Sequence, residues 1–340
     1  MTNQAGPPAP ATIAEGAPVT DAHDEAAAGH RGYLIIGIGA SAGGLAAYKA
    51  FFSAMPADSG MAFVLVQHLD PDYDSALAVI LGENTPMPVL KAVDGAVVAP
   101  NTVSVIPPNA IIKIEAGVLR VAKAETATAR RSSIDTFLVS LAEDQGENAV
   151  GVILSGFGSD GTAGIAAIKE AGGLTLSEAE FDHHAKKGMP QSAAAGGFVD
   201  NVLKAEDMPA ALLDYQRVKN RLSSAAEPNA PAPDLAQRLV TICAVLHSRL
   251  GRDFGQYKAS TLMRRIRRRM QVLRIDDPQR YIDHLRASPD EPELLFREVL
   301  IGVTRFFRDA AIFEAIAETV ASKIITSGDL DVPVRVWVAG

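Results

Sequence analysis

The segment LIIGIGASAGGL, residues 34–45, is an apolar run that breaks into a glycine-rich turn and then into an apolar-periodic stretch. That order reads as strand, tight loop, helix. Two chemistries compete for the turn. Gly37-x-Gly39-x-x-Ala42 fits a dinucleotide fingerprint, in which glycines let backbone approach a pyrophosphate. Gly39-x-Ser41-x-Gly43 fits a nucleophile elbow, which exposes a serine hydroxyl on a sharp strand-to-helix turn.

The surrounding chain alternates in the same way. Residues 33–38 read as a strand, Leu45, Tyr48, Phe52 and Met55 recur at helical spacing, and residues 62–66 read as a second strand running into QHLDPDYD. IIKIEAGVLRV reads as a β-hairpin turning at Ala116-Gly117. Residues 134–145 read as a helix and AVGVIL as a buried strand; GSDGTAG is a glycine loop and IAAIKEAGG a helix closing on glycine. This alternation predicts an α/β domain, a doubly wound, mostly parallel sheet with helices on both faces. In such a sheet the working residues gather outside the carboxyl ends of the strands.

That rule weighs the two chemistries. A dinucleotide site needs an acid at the end of the second strand, about 20 residues past the glycines. Here that strand ends in Gln67-His68, with Asp70 close by. In an elbow the histidine acquires a use, because parallel strands bring Ser41 and His68 to one edge, and Asp160, in the loop after the 150–154 strand, arrives at the same edge. Each residue also has a structural reading: Ser41 as a helix N-cap, His68 as a polar loop residue, Asp160 as a turn or capping residue. The order Ser, His, Asp differs from that of α/β-hydrolases. The other histidines, His23, His30, His183, His184, His247 and His284, fall in the first 30 residues, a polar loop or the second region.

With 340 residues the chain holds two or three domains. Residues 1–30 carry acids, no Lys or Arg before Arg31, and no apolar periodicity, and are expected to be a disordered acidic tail. SSAAEPNAPAPD, residues 223–234, reads as a linker between a 31–222 domain and a second region. No segment is long and apolar enough to span a bilayer, no secretory signal is visible, and the single Cys243 allows no internal disulfide, so a cytoplasmic protein without membrane insertion is expected. A formal charge of −8 argues against nucleic acid as a partner. In STLMRRIRRRMQVLRI, Met263, Ile266, Met270 and Leu273 form an apolar stripe. Arg264, Arg265, Arg267, Arg268 and Arg269 around it read as a solvated face, or else as a surface for an acidic protein. No metal site is expected.

GIGASAGGL, VQHLDPDYDSAL, VSVIPPNA, SIDTFLVSLAEDQGENAVGVILSGFGSDGTAGIAAIKEAGG and GMPQSA, in this order over about residues 31–215, resemble the catalytic domain of the chemotaxis protein-glutamate methylesterase (CheB-type) family. The family's catalytic serine, histidine and aspartate fall on Ser41, His68 and Asp160. The resemblance implies hydrolysis of glutamyl methyl esters on the cytoplasmic domains of chemoreceptors, releasing methanol, often with deamidation of receptor glutamines, and no cofactor. It also points to the Phe157 amide as an oxyanion donor and to Met189 and Pro190 as bordering the site. Stand-alone enzymes of the family carry a receiver domain ahead of this one; only 30 residues precede it here, so control by an attached receiver is not expected.

The stretches LHSRLGRDFGQYKASTLMRRIRRRMQVLRIDDPQRYIDHL, LLFREVLIGVTRFFRDAAIFEAI and VRVWVAG resemble the chemotaxis receptor methyltransferase (CheR-type) family. They imply a helical domain over 235–290 that helps bind receptor, followed over 291–340 by the opening of a nucleotide-binding domain. Thr304 and Arg308 are the implied contacts to S-adenosylmethionine, with Gly302 where the family often has Asn. The alternative for TRFFRD is a helix start capped by Thr304. The sequence stops at Gly340, where the family's cofactor turn begins, so a truncated domain without transferase activity is expected, S-adenosylmethionine being the cofactor of the complete domain. Two alternatives stand beside the esterase: a non-catalytic scaffold docking on receptors or a signalling kinase, and a dehydrogenase.

Overall fold

A computed structural model of the chain describes residues 32–41, 43–67, 77–179, 188–224, 233–254 and 257–300. The expected acidic tail, His68, Thr304, Arg308 and the strand expected near the C-terminus lie outside the described residues. The described residues form two compact units that divide between Gln216 and Arg217.

The first unit starts β1(Ile35–Ala40), α1(Leu45–Ala54), β2(Ala62–Gln67), α2(Leu77–Gly82), β3(Val89–Lys91) and β4(Val103–Val105). The hairpin β5(Ala110–Glu115), β6(Val118–Lys123) and helices α3(Ala127–Arg131) and α4(Ser133–Gln145) follow. It closes with β7(Ala149–Ile153), α5(Thr162–Glu170), β8(Leu174–Glu178), α6(Met189–Ala195), β9(Asn201–Leu203) and α7(Met208–Ser224). Seven strands form one sheet in the order β3-β4-β2-β1-β7-β8-β9, every pairing parallel. From β1 the chain first builds outward through β2, then returns to add β7 on the other side. The topological switch point is therefore between β1 and β7.

β1 begins and ends two residues later than the sequence pattern predicts, and at its end Gly39 and Ala40 belong to the strand and not to the turn. Glycine is a poor strand former by propensity, and here close packing requires it. A Cβ on Gly39 would stand 2.4 Å from Ile134 Cγ2, and one on Gly37 2.6 Å from Leu138 Cδ2. Helix α4 thus lies directly on β1, and Ile134, Phe137, Leu138 and Leu141 join Ile35, Val64 and Ile153 in one core. On the opposite face Phe51 and Phe52 of α1 meet Phe63 of β2 edge-on. The hairpin turns where predicted: Ala116 and Gly117 both have positive φ, as a tight hairpin requires, and the Asp144 carboxylate accepts from both amides.

In the second unit, the C-terminal part of α7 joins α8(Pro233–Leu250), α9(Ala259–Val272), α10(Pro278–Ala287) and α11(Glu291–Leu300). Their core includes Val218, Leu222, Ile242, Leu246, Ile266, Met270, Tyr281, Leu285, Leu295 and Phe296. α11, expected to open the next domain, packs in this core. α7 and α8 run into the proline-rich stretch from either side, as far as Ser224 and back to Pro233, with 225–232 outside the described residues. The arginine-rich run corrects the sequence reading. Arg265, Arg268 and Arg269 are buried, not solvated. Arg269 holds Glu291 bidentately at 3.0 and 2.6 Å, Arg268 pairs with Glu298, and the Tyr281 hydroxyl donates to Glu291 at 2.9 Å. Among the described residues no helix is long and apolar enough to cross a membrane.

Candidate active site

Ser41 leaves the carboxyl end of β1 and is 9% exposed. Its amide donates to Ser155 O at 3.2 Å, and its carbonyl accepts from Gly44 N at 2.8 Å and from Gln67 Nε2 at 3.3 Å. Helix α1 has Gly44 as its N-cap, with no side-chain bond. The carbonyl of Ser41, and not its hydroxyl, therefore closes the turn, and the structural reading of Ser41 as a cap is set aside. The glycines of the dinucleotide fingerprint are accounted for as well: Gly37 and Gly39 sit in the strand beneath α4, where Leu138 and Ile134 fill the space their side chains would take.

The segment after β7 crosses Ser41. A Cβ on Gly156 would fall 2.8 Å from Ser41 N, 2.7 Å from Ser41 Cβ and 2.5 Å from Met189 Sδ, so this position admits no side chain. Ser155 is fastened by Glu178 at the end of β8, whose Oε2 accepts from Ser155 N and from Ser155 Oγ, both at 2.6 Å. Met189 N donates to Gly156 O at 2.9 Å, flanking an isolated antiparallel bridge between Phe157 and Gly188. In a bridge of this kind the paired residues' own amides point away from the partner strand, so the Phe157 N–H turns outward. Phe157 as a whole is 76% exposed. Met189 and Pro190 are buried; Met189 lines the underside of the loop and supports the site.

Asp160 lies on the loop from β7 into α5 and is 8% exposed. Its carboxylate accepts from Ile134 N at 2.9 Å, Asp135 N at 3.0 Å and Gly161 N at 3.0 Å. It stands at the amino end of α4, where orphan amides and the helix dipole favour negative charge. Capping and site placement thus coincide in one residue. Asp135 beside it has its carboxyl pushed above the usual carboxylate range, chiefly by burial, with the neighbouring Asp160 adding to it against the opposing pull of the Gly164 amide.

Ser41 and Asp160 therefore flank the switch point on one edge of the sheet. β2 reaches that edge at Gln67, in register with Ala40, and the Gln67 side chain touches the Ser41 carbonyl; His68, the next residue, lies outside the described residues. A hydroxyl at an elbow, an outward amide and a fixed carboxylate are parts suited to nucleophilic attack on a carbonyl. Asp135, Ser155 and Glu178 were not singled out by sequence reading; the only prior signal was an acid in the first turn of α4. Among the described residues no group of His, Cys, Asp or Glu is placed to hold a metal ion.

A family model described as CheB methylesterase matches residues 36–212, and one described as CheR methyltransferase, all-alpha domain, matches residues 237–300. An uncharacterized 104.1 kDa protein of Rhodobacter capsulatus is 34% identical over 287 residues, covering 78% of this chain and 30% of that protein. Protein-glutamate methylesterase/protein-glutamine glutaminase 6 of Anaeromyxobacter dehalogenans is 36% identical over 188 residues, 53% of each chain. The crystal structure of the Thermotoga maritima CheB methylesterase catalytic domain aligns at 29% identity over 54% of this chain and 99% of that one, with a TM-score of 0.49. The chain thus spans about half or less of the length of these curated relatives.

Proposed function

The chain belongs to the CheB methylesterase family, and from that premise we propose that its first unit is a serine esterase that removes methyl groups from glutamate γ-methyl esters of chemoreceptor cytoplasmic domains. The observation that carries this reading is the elbow: Ser41 ends β1 at the switch point, spared from helix capping, with the Gly156–Phe157 segment across it and Asp160 beyond. In this reading Ser41 attacks the ester carbonyl as His68 takes the hydroxyl proton. Asp160 orients the imidazole and stabilises the imidazolium. The outward Phe157 amide donates to the tetrahedral oxyanion, a contribution of about 3 kcal/mol per donor. Methanol departs with the proton from His68, and water then releases the glutamate by the same steps in reverse order. A glutamine side chain entering the same site would lose ammonia instead of methanol.

The helical unit, similar to the all-alpha domain of the receptor methyltransferases, is read as a receptor-docking module in which Arg265, Arg268 and Arg269 serve its own core. The esterase cycle uses no S-adenosylmethionine; Thr304 and Arg308 lie outside the described residues.

The test is methanol release from methylated receptor membranes. The full chain is expected to release it, and Ser41→Ala to lower the rate by a factor of about 10³ or more with an unchanged circular dichroism spectrum. Receptor binding without any release would favour the docking scaffold instead.

A further inference from the structure

Helices α4 and α5 begin side by side, and neither is capped by its own flanking residue: Ser132 ahead of α4 and Gly161 ahead of α5 contribute no side-chain bond. The carboxyls are exchanged instead. Asp160, leading into α5, accepts from Ile134 N and Asp135 N of α4. Asp135, in the first turn of α4, accepts from Gly164 N in the first turn of α5 at 2.8 Å. Each acid stands at the positive end of the other's helix. The helices are close enough for this because Gly164 has no side chain: a Cβ there would lie 2.4 Å from Leu138 Cβ. The two acids are immediate neighbours, Asp135 N donating to the Asp160 carboxylate at 3.0 Å, and burial together with the Asp160 charge raises the Asp135 carboxyl above its ordinary value.

We propose that Asp135 is a positioning residue for the esterase: its carboxyl holds Gly164 N at the start of α5 while its amide holds the Asp160 carboxylate, and so it fixes where that carboxylate stands. This assignment rests on the esterase reading above. Asp135 acts on the reaction only through Asp160. Three backbone amides, from Ile134, Asp135 and Gly161, hold the Asp160 carboxylate. Removing Asp135 opens the Gly164 side and lets the carboxylate swing.

The experiment measures kcat and KM for methanol release by the full chain acting on a synthetic helical peptide that carries one glutamate γ-methyl ester. Asp135→Ala is expected to lower kcat by about 10- to 100-fold, as misplacement of a working group by about 1 Å does, and to leave KM unchanged. Asp135→Asn restores most of kcat, because its side-chain carbonyl still accepts from Gly164 N. Asp135→Glu, which keeps the charge and displaces the carboxyl by one methylene, loses kcat in the same manner and serves if the alanine variant does not fold. A folded Ala or Glu variant with wild-type kcat overturns the assignment, as does an Asn variant no faster than Ala. Failure of the wild-type chain to release methanol in a Ser41-dependent way overturns the esterase reading, and the assignment with it.

Discussion

Asp135 carries its burial and its acidic neighbour as a raised proton affinity, and the sign of the effect on stability follows. The fold favours the protonated acid. Its contribution is present in full below the unfolded pKa of about 4 and is lost as pH rises through the higher folded value. Asp135→Asn, neutral at every pH, is therefore expected to resist urea better than the wild-type chain at neutral pH, and the two curves to converge as pH falls toward 4. Urea titrations at a series of pH values followed by circular dichroism check it; a gap that widens on acidification would contradict it. Ser41 and Asp160 were legible in the sequence because both follow apolar runs with glycine turns, and parallel strands deliver such turns to one edge. Asp135 was not, since an acid in the first turn of a helix complements the helix dipole in any protein, and only the crossing of α4 and α5 gives it a second partner. Glu178 was hidden in the same way, its partner Ser155 lying 23 residues away.

Strand β1 and helix α4 depend on each other through absent side chains. Gly39→Ala would drive a Cβ to 2.4 Å from Ile134 Cγ2, and overpacking of this kind costs about 1–3 kcal/mol. At Gly43 a Cβ would meet nothing within 4 Å, and Gly43→Ala is expected to stay within about 0.5 kcal/mol of the parent. Chemical denaturation of the two variants makes the comparison, and equal stabilities would refute the packing argument. The sequence pattern recovered β2, α4 and the hairpin with small boundary errors, because each is an uninterrupted periodic run. It misplaced the end of β1 for the reason just given: propensity assigns Gly39 to the turn, while the approach of a helix from residues 133–145 assigns it to the strand. In α9 the period was right and the chemistry wrong. Arginines flanking an apolar stripe look solvated until Glu291 and Glu298, 22 and 30 residues on from their partners, are brought against them.

The two-unit plan was visible as a change in composition near the proline-rich stretch, although the units divide between Gln216 and Arg217, inside α7, where a continuous helix gives the sequence no mark. The helical unit is expected to be intolerant of half-measures in its ion pairs. Glu291→Ala leaves the buried Arg269 and Tyr281 without their acceptor and should cost about 3–5 kcal/mol, whereas exchanging Arg269 and Glu291 together for Met and Leu leaves only the Tyr281 hydroxyl without one and should cost about 1–3 kcal/mol. Denaturation of both variants decides it, and a double variant as unstable as the single would argue that the pair is itself stabilising. In the first unit, Asp160 anchors the start of α4 and, in the proposed esterase, also orients the imidazole, so turnover and scaffold would be inherited together at that position. A descendant released from selection for its reaction could shed the Ser41 hydroxyl with little harm, whereas losing Asp160 would strand the amides of Ile134 and Asp135. Genetic drift would erase the serine first and leave the acid behind as a fossil of the chemistry.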